Sequence, residues 1–222
     1  MDLEKIANQL QDTARRHGLG AALHDVECRV LNTVSHFGLL RAMVVEPVDL
    51  SDPELFEAPG YSGRFVEMAE LEGHARKGEH ELDPTFLAGA ARRGDRCYGM
   101  FAGEALAGYG WYARQPTPID EHFVLHFDPA YTYMFKGYTA PAHRGKRLHA
   151  VGMCRALREF GAAGGKGLVS YVRSNNFASL KSTARMGYRQ FGDVYLLHAG
   201  GRSFTWASPG CRPYGFRAEP LA

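Results

Sequence analysis

The sequence predicts a mixed α/β fold, one sheet with helices on both faces, built by a single domain over about residues 37–206. Three observations carry this expectation. Short runs rich in branched and aromatic residues recur at 39–45, 97–101, 106–113, 131–140 and 168–172, as strands require. Stretches with apolar residues at helical spacing lie between them, at 146–160 and 176–186. Glycine or proline punctuates the junctions, as at Pro47, Gly94, Gly103 and Gly187.

The chain has 222 residues, room for one domain with an extension. Lys+Arg 26 against Asp+Glu 24 leaves a net charge of +2, which argues against a dedicated nucleic-acid partner. The most apolar stretch, 37–45, contains Arg41 and is too short to span a bilayer, so no membrane partner is expected. The start, Met-Asp-Leu-Glu-Lys, lacks a basic-then-apolar leader. Cys28, Cys97, Cys154 and Cys211 stand far apart without a C-x-x-C pair; they read as reduced thiols of a cytoplasmic protein.

Taken in order, Leu3, Ile6, Ala7, Leu10 and Ala14 predict an amphipathic helix over 1–17 that stops at Gly18, and 23–34 a second helix. Residues 1–36 thus form a helical extension. Strand 39–45 is stopped by Pro47. Ser51-Asp52-Pro53-Glu54 reads as an N-cap with proline early in a helix. Helical pieces follow at 65–76 and 83–93, closed by Gly78 and Gly94. Strands 97–101 and 106–113 turn at Gly103-Glu104, and a third strand, 131–140, comes after a loop at 116–118. Helix 146–160, buried strand 168–172, helix 176–186 and a hairpin across Gly200-Gly201 complete a domain over 37–207. Residues 208–222, with Pro209, Gly210, Pro213, Gly215 and Pro220, read as an irregular tail.

Chemistry concentrates at Thr139-Ala140-Pro141-Ala142-His143-Arg144-Gly145-Lys146-Arg147-Leu148-His149. A strand ends here and a helix begins, so the first helical N–H groups lack intrahelical partners and favour an anion. Arg144, Lys146 and Arg147 add charge suited to phosphate. A basic connector on a solvated face explains the same residues equally well. Downstream, Asn176-Phe177-Ala178-Ser179 and Met186-Gly187-Tyr188 have the residue types that cap and stop a helix.

Together the two motifs resemble the GNAT N-acetyltransferase superfamily. Its phosphate-gripping signature, V-x-P-x-x-R-G-x-G-x-G, is followed from Thr139 and Pro141 through Arg144-Gly145, while Arg147 and His149 stand where the family carries small residues. The N-x-x-S and G-Y pairs match the family's next strand–helix unit, and the element order matches over 37–206.

The resemblance implies a mixed, mostly antiparallel sheet with a splayed pair of parallel strands. It implies acetyl-CoA as acyl donor, held where the strands ending at Ala140 and Val172 part. Backbone groups of Tyr138, Thr139 and Ala140 would meet the pantetheine and thioester. Amides of Arg144, Gly145, Lys146, Arg147, Leu148 and His149 would meet the pyrophosphate, and Asn176 and Ser179 would contact the cofactor from the second strand. The implied reaction moves an acetyl or other short acyl group from a coenzyme A thioester to the primary amine of a small-molecule acceptor by direct attack.

The family's strand glutamate is absent here; Tyr133, His126 and Asp128 are the candidates for proton transfer. Thr183 stands where the family places an acidic tyrosine. Tyr109, Trp111, Tyr112, Phe123, Tyr131 and Tyr133 are expected to line an acceptor pocket beneath helical segment 65–93. Two alternatives stay open: a longer acyl chain from acyl carrier protein or acyl-CoA, and an inactive acyl-CoA-binding scaffold. His122 and His126 have H-x-x-x-H spacing but fall in a β-type segment without a nearby carboxylate motif, so no metal is expected. The oligomeric state is left open, a homodimer included.

Overall fold

Gly18, at φ 92, divides the amphipathic N-terminal stretch into two helices in the computed structural model, which describes residues 3–50 and 53–221. Helix α1 (Leu3–His17) and helix α2 (Leu19–Val34) fold back on each other, with Arg29 Nη2 donating to Gln9 Oε1 at 3.1 Å. The chain then enters β1 (His36–Val45).

Seven more strands complete the main sheet: β2 (Ser62–Val66), β3 (Arg96–Ala102), β4 (Ala105–Ala113), β7 (Tyr131–Thr139), β8 (Gly167–Arg173), β9 (Arg189–Ala199) and β10 (Arg202–Ala207). Their order is β10-β9-β1-β8-β7-β4-β3-β2, antiparallel throughout except for the parallel pair β7–β8. A small second sheet has the order β11-β6-β5, from β5 (Thr117–Pro118), β6 (Phe123–His126) and β11 (Arg217–Pro220).

Both faces of the main sheet are covered, which is why its central strands read as nearly continuous apolar runs. In β1, Met43 and Val45 turn to one face and Leu40, Ala42 and Val44 to the other. On the first face α5 (Leu148–Ala162) buries Val151, Cys154 and Leu157 against Met43, Tyr98 and Leu168. Helix α6 (Phe177–Arg185) extends this layer through Leu180 and the following Met186. The opposite face is shared. Helices α3 (Met68–Arg76) and α4 (Pro84–Arg93) cover Cys97, Phe101 and Trp111, while the small sheet and Phe216 cover β1, β8 and β9.

Several expectations need correction. Phe65 and Val66 are not helical: they close strand β2, paired with Tyr98 and Cys97. The helix after the basic loop starts at Leu148 rather than Lys146. Residues past Ser208 are not irregular, because a 3-10 helix (Pro209–Tyr214) and β11 bury Cys211, Phe216 and Ala218. The aromatics expected in an acceptor pocket are core, divided among three clusters and all below 8% exposure. Ser51 and Asp52 lie outside the described residues; Pro53–Phe56 forms a 3-10 turn. All four cysteines are buried free thiols. Among the described residues no helix is long and apolar enough to cross a membrane.

Candidate functional site

Strands β7 and β8 pair only through Tyr131↔Gly167, Thr132↔Leu168 and Tyr133↔Val169, and then part. A bulge in β7 coincides with the fork: Trp111 pairs with Lys136 and Tyr112 with Met134, leaving Phe135 as the extra residue that bends the strand. Ser170 Oγ donates to the Met134 carbonyl at 2.8 Å and bridges the first open step.

Register decides which backbone groups of β7 face the gap. The Ala140 N–H donates to the Ala107 carbonyl at 2.9 Å, so by strand alternation Tyr138 also turns its N–H and C=O to β4. Thr139 and Gly137 are left facing the gap. Of the three residues whose backbone was expected to meet the pantetheine, Thr139 faces the gap, as does Gly137, whereas Tyr138 and Ala140 turn their amides to β4. The Tyr138 ring leaves on the α3–α4 side, stacked on Tyr109 at 5.3 Å.

Beyond β7 the chain makes a 3-10 turn (Pro141–His143) and enters α5 through two left-handed residues, Gly145 at φ 79 and Arg147 at φ 59. Glycine takes this conformation freely; arginine does so at a cost of about 1–2 kcal/mol. The Arg147→Gly variant is accordingly expected to gain about 1 kcal/mol, read as a higher denaturant midpoint; a lower one would mean that the side chain's contacts outweigh its strain. Arg147 is the N-cap but makes no side-chain cap bond, so the first turn of α5 keeps its N–H groups for an outside acceptor.

A cavity of about 380 Å³ opens there, lined by Thr139, Arg144, Gly145, Arg147, Leu148 and His149. Helix α6 closes it with Ser182 and Arg185, which sequence reasoning missed. The one signal for Arg185 was its place just before Met186-Gly187-Tyr188, and a basic last turn needs no ligand to explain it. No carboxylate lines the cavity among the described residues. Arg144 Nε donates to the Thr139 carbonyl at 3.2 Å. The Lys146 side chain turns away to Tyr61, Nζ to Oη 2.9 Å, and Tyr61 Oη meets His143 Nδ1 at 2.9 Å. Burial pushes the His149 pKa down, so its ring is neutral at neutral pH and the arginines supply the charge. That ring packs on Gly137 so closely that a methyl group there would collide with it.

Asn176 and Ser179 are not part of this cavity. Asn176 Oδ1 accepts the Ser179 N–H at 3.1 Å as the cap of α6, and both line a separate hollow with Gln9, Asp12 and Arg173. Asn176→Ala should therefore lower stability by about 0.5–2 kcal/mol, as a thermal melt would report. The three proton-transfer candidates are also dispersed. Tyr133 is buried at the fork, its ring between Phe135 and Tyr171 at 5.5 and 6.0 Å, and burial pushes its phenol far up. His126 sits in the small sheet, with Nε2 3.3 Å from Glu219. Asp128 closes the turn before β7: Oδ1 accepts the Ala130 N–H, and its own N–H donates to Tyr214, both at 2.8 Å. It precedes the whole of β7, at the opposite end of that strand from the cavity. Thr183 Oγ1 bonds back to Leu180 at 3.0 Å.

No family model matches the chain, and no curated protein matches it. Among solved structures, a GCN5-related N-acetyltransferase from Kribbella flavida is similar at a TM-score of 0.50 and 17% identity, over 84% of this chain and 65% of that one. A GCN5-related N-acetyltransferase from Sphaerobacter thermophilus gives 0.48 and 12%, over 78% of this chain and 55% of its own. The chain thus spans less than two thirds of either protein. With the forked parallel pair and the bulged strand running into an uncapped helix, the first of these likenesses identifies the architecture: this chain has the GNAT fold.

Proposed function

We propose that the chain is an acyltransferase that takes an acetyl or other short acyl group from a coenzyme A thioester and delivers it to the primary amine of a small molecule. One observation carries this reading. Three arginines, Arg144, Arg147 and Arg185, surround an uncapped helix N-terminus with no carboxylate among them, directly beyond a strand whose edge is open. Phosphates suit the arginines and the helix N–H groups. The amides of a pantetheine arm suit the Gly137 and Thr139 edge, which leads the thioester towards the fork.

At the fork an uncharged amine attacks the thioester carbonyl carbon, the carbon–sulfur bond breaks, and the departing sulfur takes a proton. Holding both reactants in one cleft lowers the barrier, and a backbone N–H on the open edge of β7 suits the developing oxyanion. Tyr133, kept neutral by burial and hydrogen-bonded to Tyr171, stays a candidate only through that pair, and the amine loses its proton to solvent. His126 and Asp128 stay candidates only through a water relay. Four unbridged thiols suit a reducing cytoplasm.

The test is calorimetric titration with coenzyme A and acyl-CoAs of increasing length, and with acylated carrier protein, followed by thiol release over a panel of amines. Saturable acetyl-CoA binding with amine-dependent thiol release is the expected result; no binding of any coenzyme A species overturns the reading. The His149 ring on Gly137 favours a second reading, a binder without turnover, for which binding without thiol release is the signature.

A further inference from the structure

We propose that His74, Glu79 and His80 form a binding site for one divalent transition-metal ion of the zinc class, on the loop between α3 and α4. One ligand atom from each lies within 4.8 Å of the other two. His74 Nδ1 stands 2.9 Å and His80 Nε2 3.9 Å from the same oxygen, Glu79 Oε2. In a tetrahedral zinc site, donors lie about 3.3 Å apart, so changes of up to about 1.5 Å in donor separation convert this cluster into a coordination shell. Two imidazoles and one carboxylate are a zinc ligand set that leaves a fourth position open.

One ion pair joins His74 to Glu79, and the longer approach of His80 brings a third donor to the same oxygen. His80 reaches the shared oxygen because the backbone turns left-handed at two consecutive non-glycine residues, His80 at φ 60 and Glu81 at φ 54. Such conformations persist only where surroundings enforce them. Here Tyr109 Oη donates to the His80 carbonyl at 2.9 Å and Lys136 Nζ to the Glu81 carbonyl at 3.2 Å, fastening the loop to β4 and β7. The two imidazoles are edge to face at 4.8 Å, and the His80 ring also meets Tyr138 at 5.9 Å. Both histidine side chains are largely covered, 19% and 17% exposed, while Glu79 opens to solvent at 45%.

Metal ions need the neutral ring and the ionised carboxylate, so affinity falls as pH drops through the histidine range.

The test is Co²⁺ titration of the full chain, followed by Zn²⁺ competition. One equivalent of Co²⁺ with an intense tetrahedral visible band, displaced by Zn²⁺, is expected. Glu79→Gln and His80→Asn, which keeps a residue tolerant of the left-handed backbone, should each weaken binding at least tenfold without lowering the metal-free melting temperature. His198→Ala should leave binding unchanged, since it removes one member of a different close imidazole pair, His122–His198, stacked at 3.8 Å. No stoichiometric binding, or equal binding by the Glu79→Gln/His80→Asn double variant, overturns the assignment.

Discussion

Gly210→Ala is expected to destabilise the protein by roughly 3 kcal/mol, at the upper end of overpacking effects. The Phe191 carbonyl oxygen occupies the space a Cβ at Gly210 needs, and its carbon lies 3.1 Å from that position. Neither group can yield easily. Phe191 is the bulge residue of β9, held between Gln190 and Gly192, which pair with β1, and its ring stacks on Tyr214 at 4.0 Å, while Ser208 Oγ accepts the Asp193 N–H at 2.9 Å. For a chain of this length the melting temperature should fall by roughly 10 °C. Gly20→Ala is the control: it is helical, nothing lies within 4 Å of its would-be Cβ, and alanine should add up to about 1 kcal/mol. Equal melting temperatures for the Gly210 variant and the parent would show that the C-terminal segment is peripheral to folding.

Arg185→Ala should weaken coenzyme A binding roughly 10- to 100-fold, the loss of one charge-assisted contact of about 1.5–3 kcal/mol. Arg185 is exposed on α6, so the free protein's melting temperature should hardly move. Affinity measured against ionic strength should show a shallower salt dependence in the variant, since one screened attraction is gone. If coenzyme A binds the variant as tightly as the parent, its phosphates lie outside the cavity between α5 and α6.

The parts of the fold legible in the sequence are those where residue type and local geometry coincide. The helix expected over 83–93 and closed by Gly94 is α4, and in the structure Asp83 caps it, Pro84 opens it and Gly94 stops it in the left-handed conformation. Asn176 caps α6 for the same local reason. Phe65 and Val66 misled because a short apolar run has no period of its own; pairing with Cys97 and Tyr98 made them a strand. In the last residues, proline and glycine hid a 3-10 helix, which tolerates them, and an edge strand that ends on Pro220. The basic loop was readable as a strand-to-helix junction because Gly145 supplies a left-handed turn there, whereas the turn at Arg147 left no sign in its residue type. Arg185 and His80 were not readable, since each reaches its neighbours only through tertiary packing or a loop conformation with no residue signature.

The place of β1 has a consequence for how the protein is made. Both its partners come late: β8 begins at Gly167 and β9 at Arg189, each more than 120 residues after Val45. At ribosomal speeds of about 5–20 residues per second, this apolar segment emerges many seconds before anything can zip onto it. Until then Leu40, Met43, Val44 and Val45 are bare, and any fragment that stops short of Gly167 holds a sticky ribbon with both edges unpaired. Chaperone demand on the nascent chain, and misassembly of truncated products, are built into this strand order.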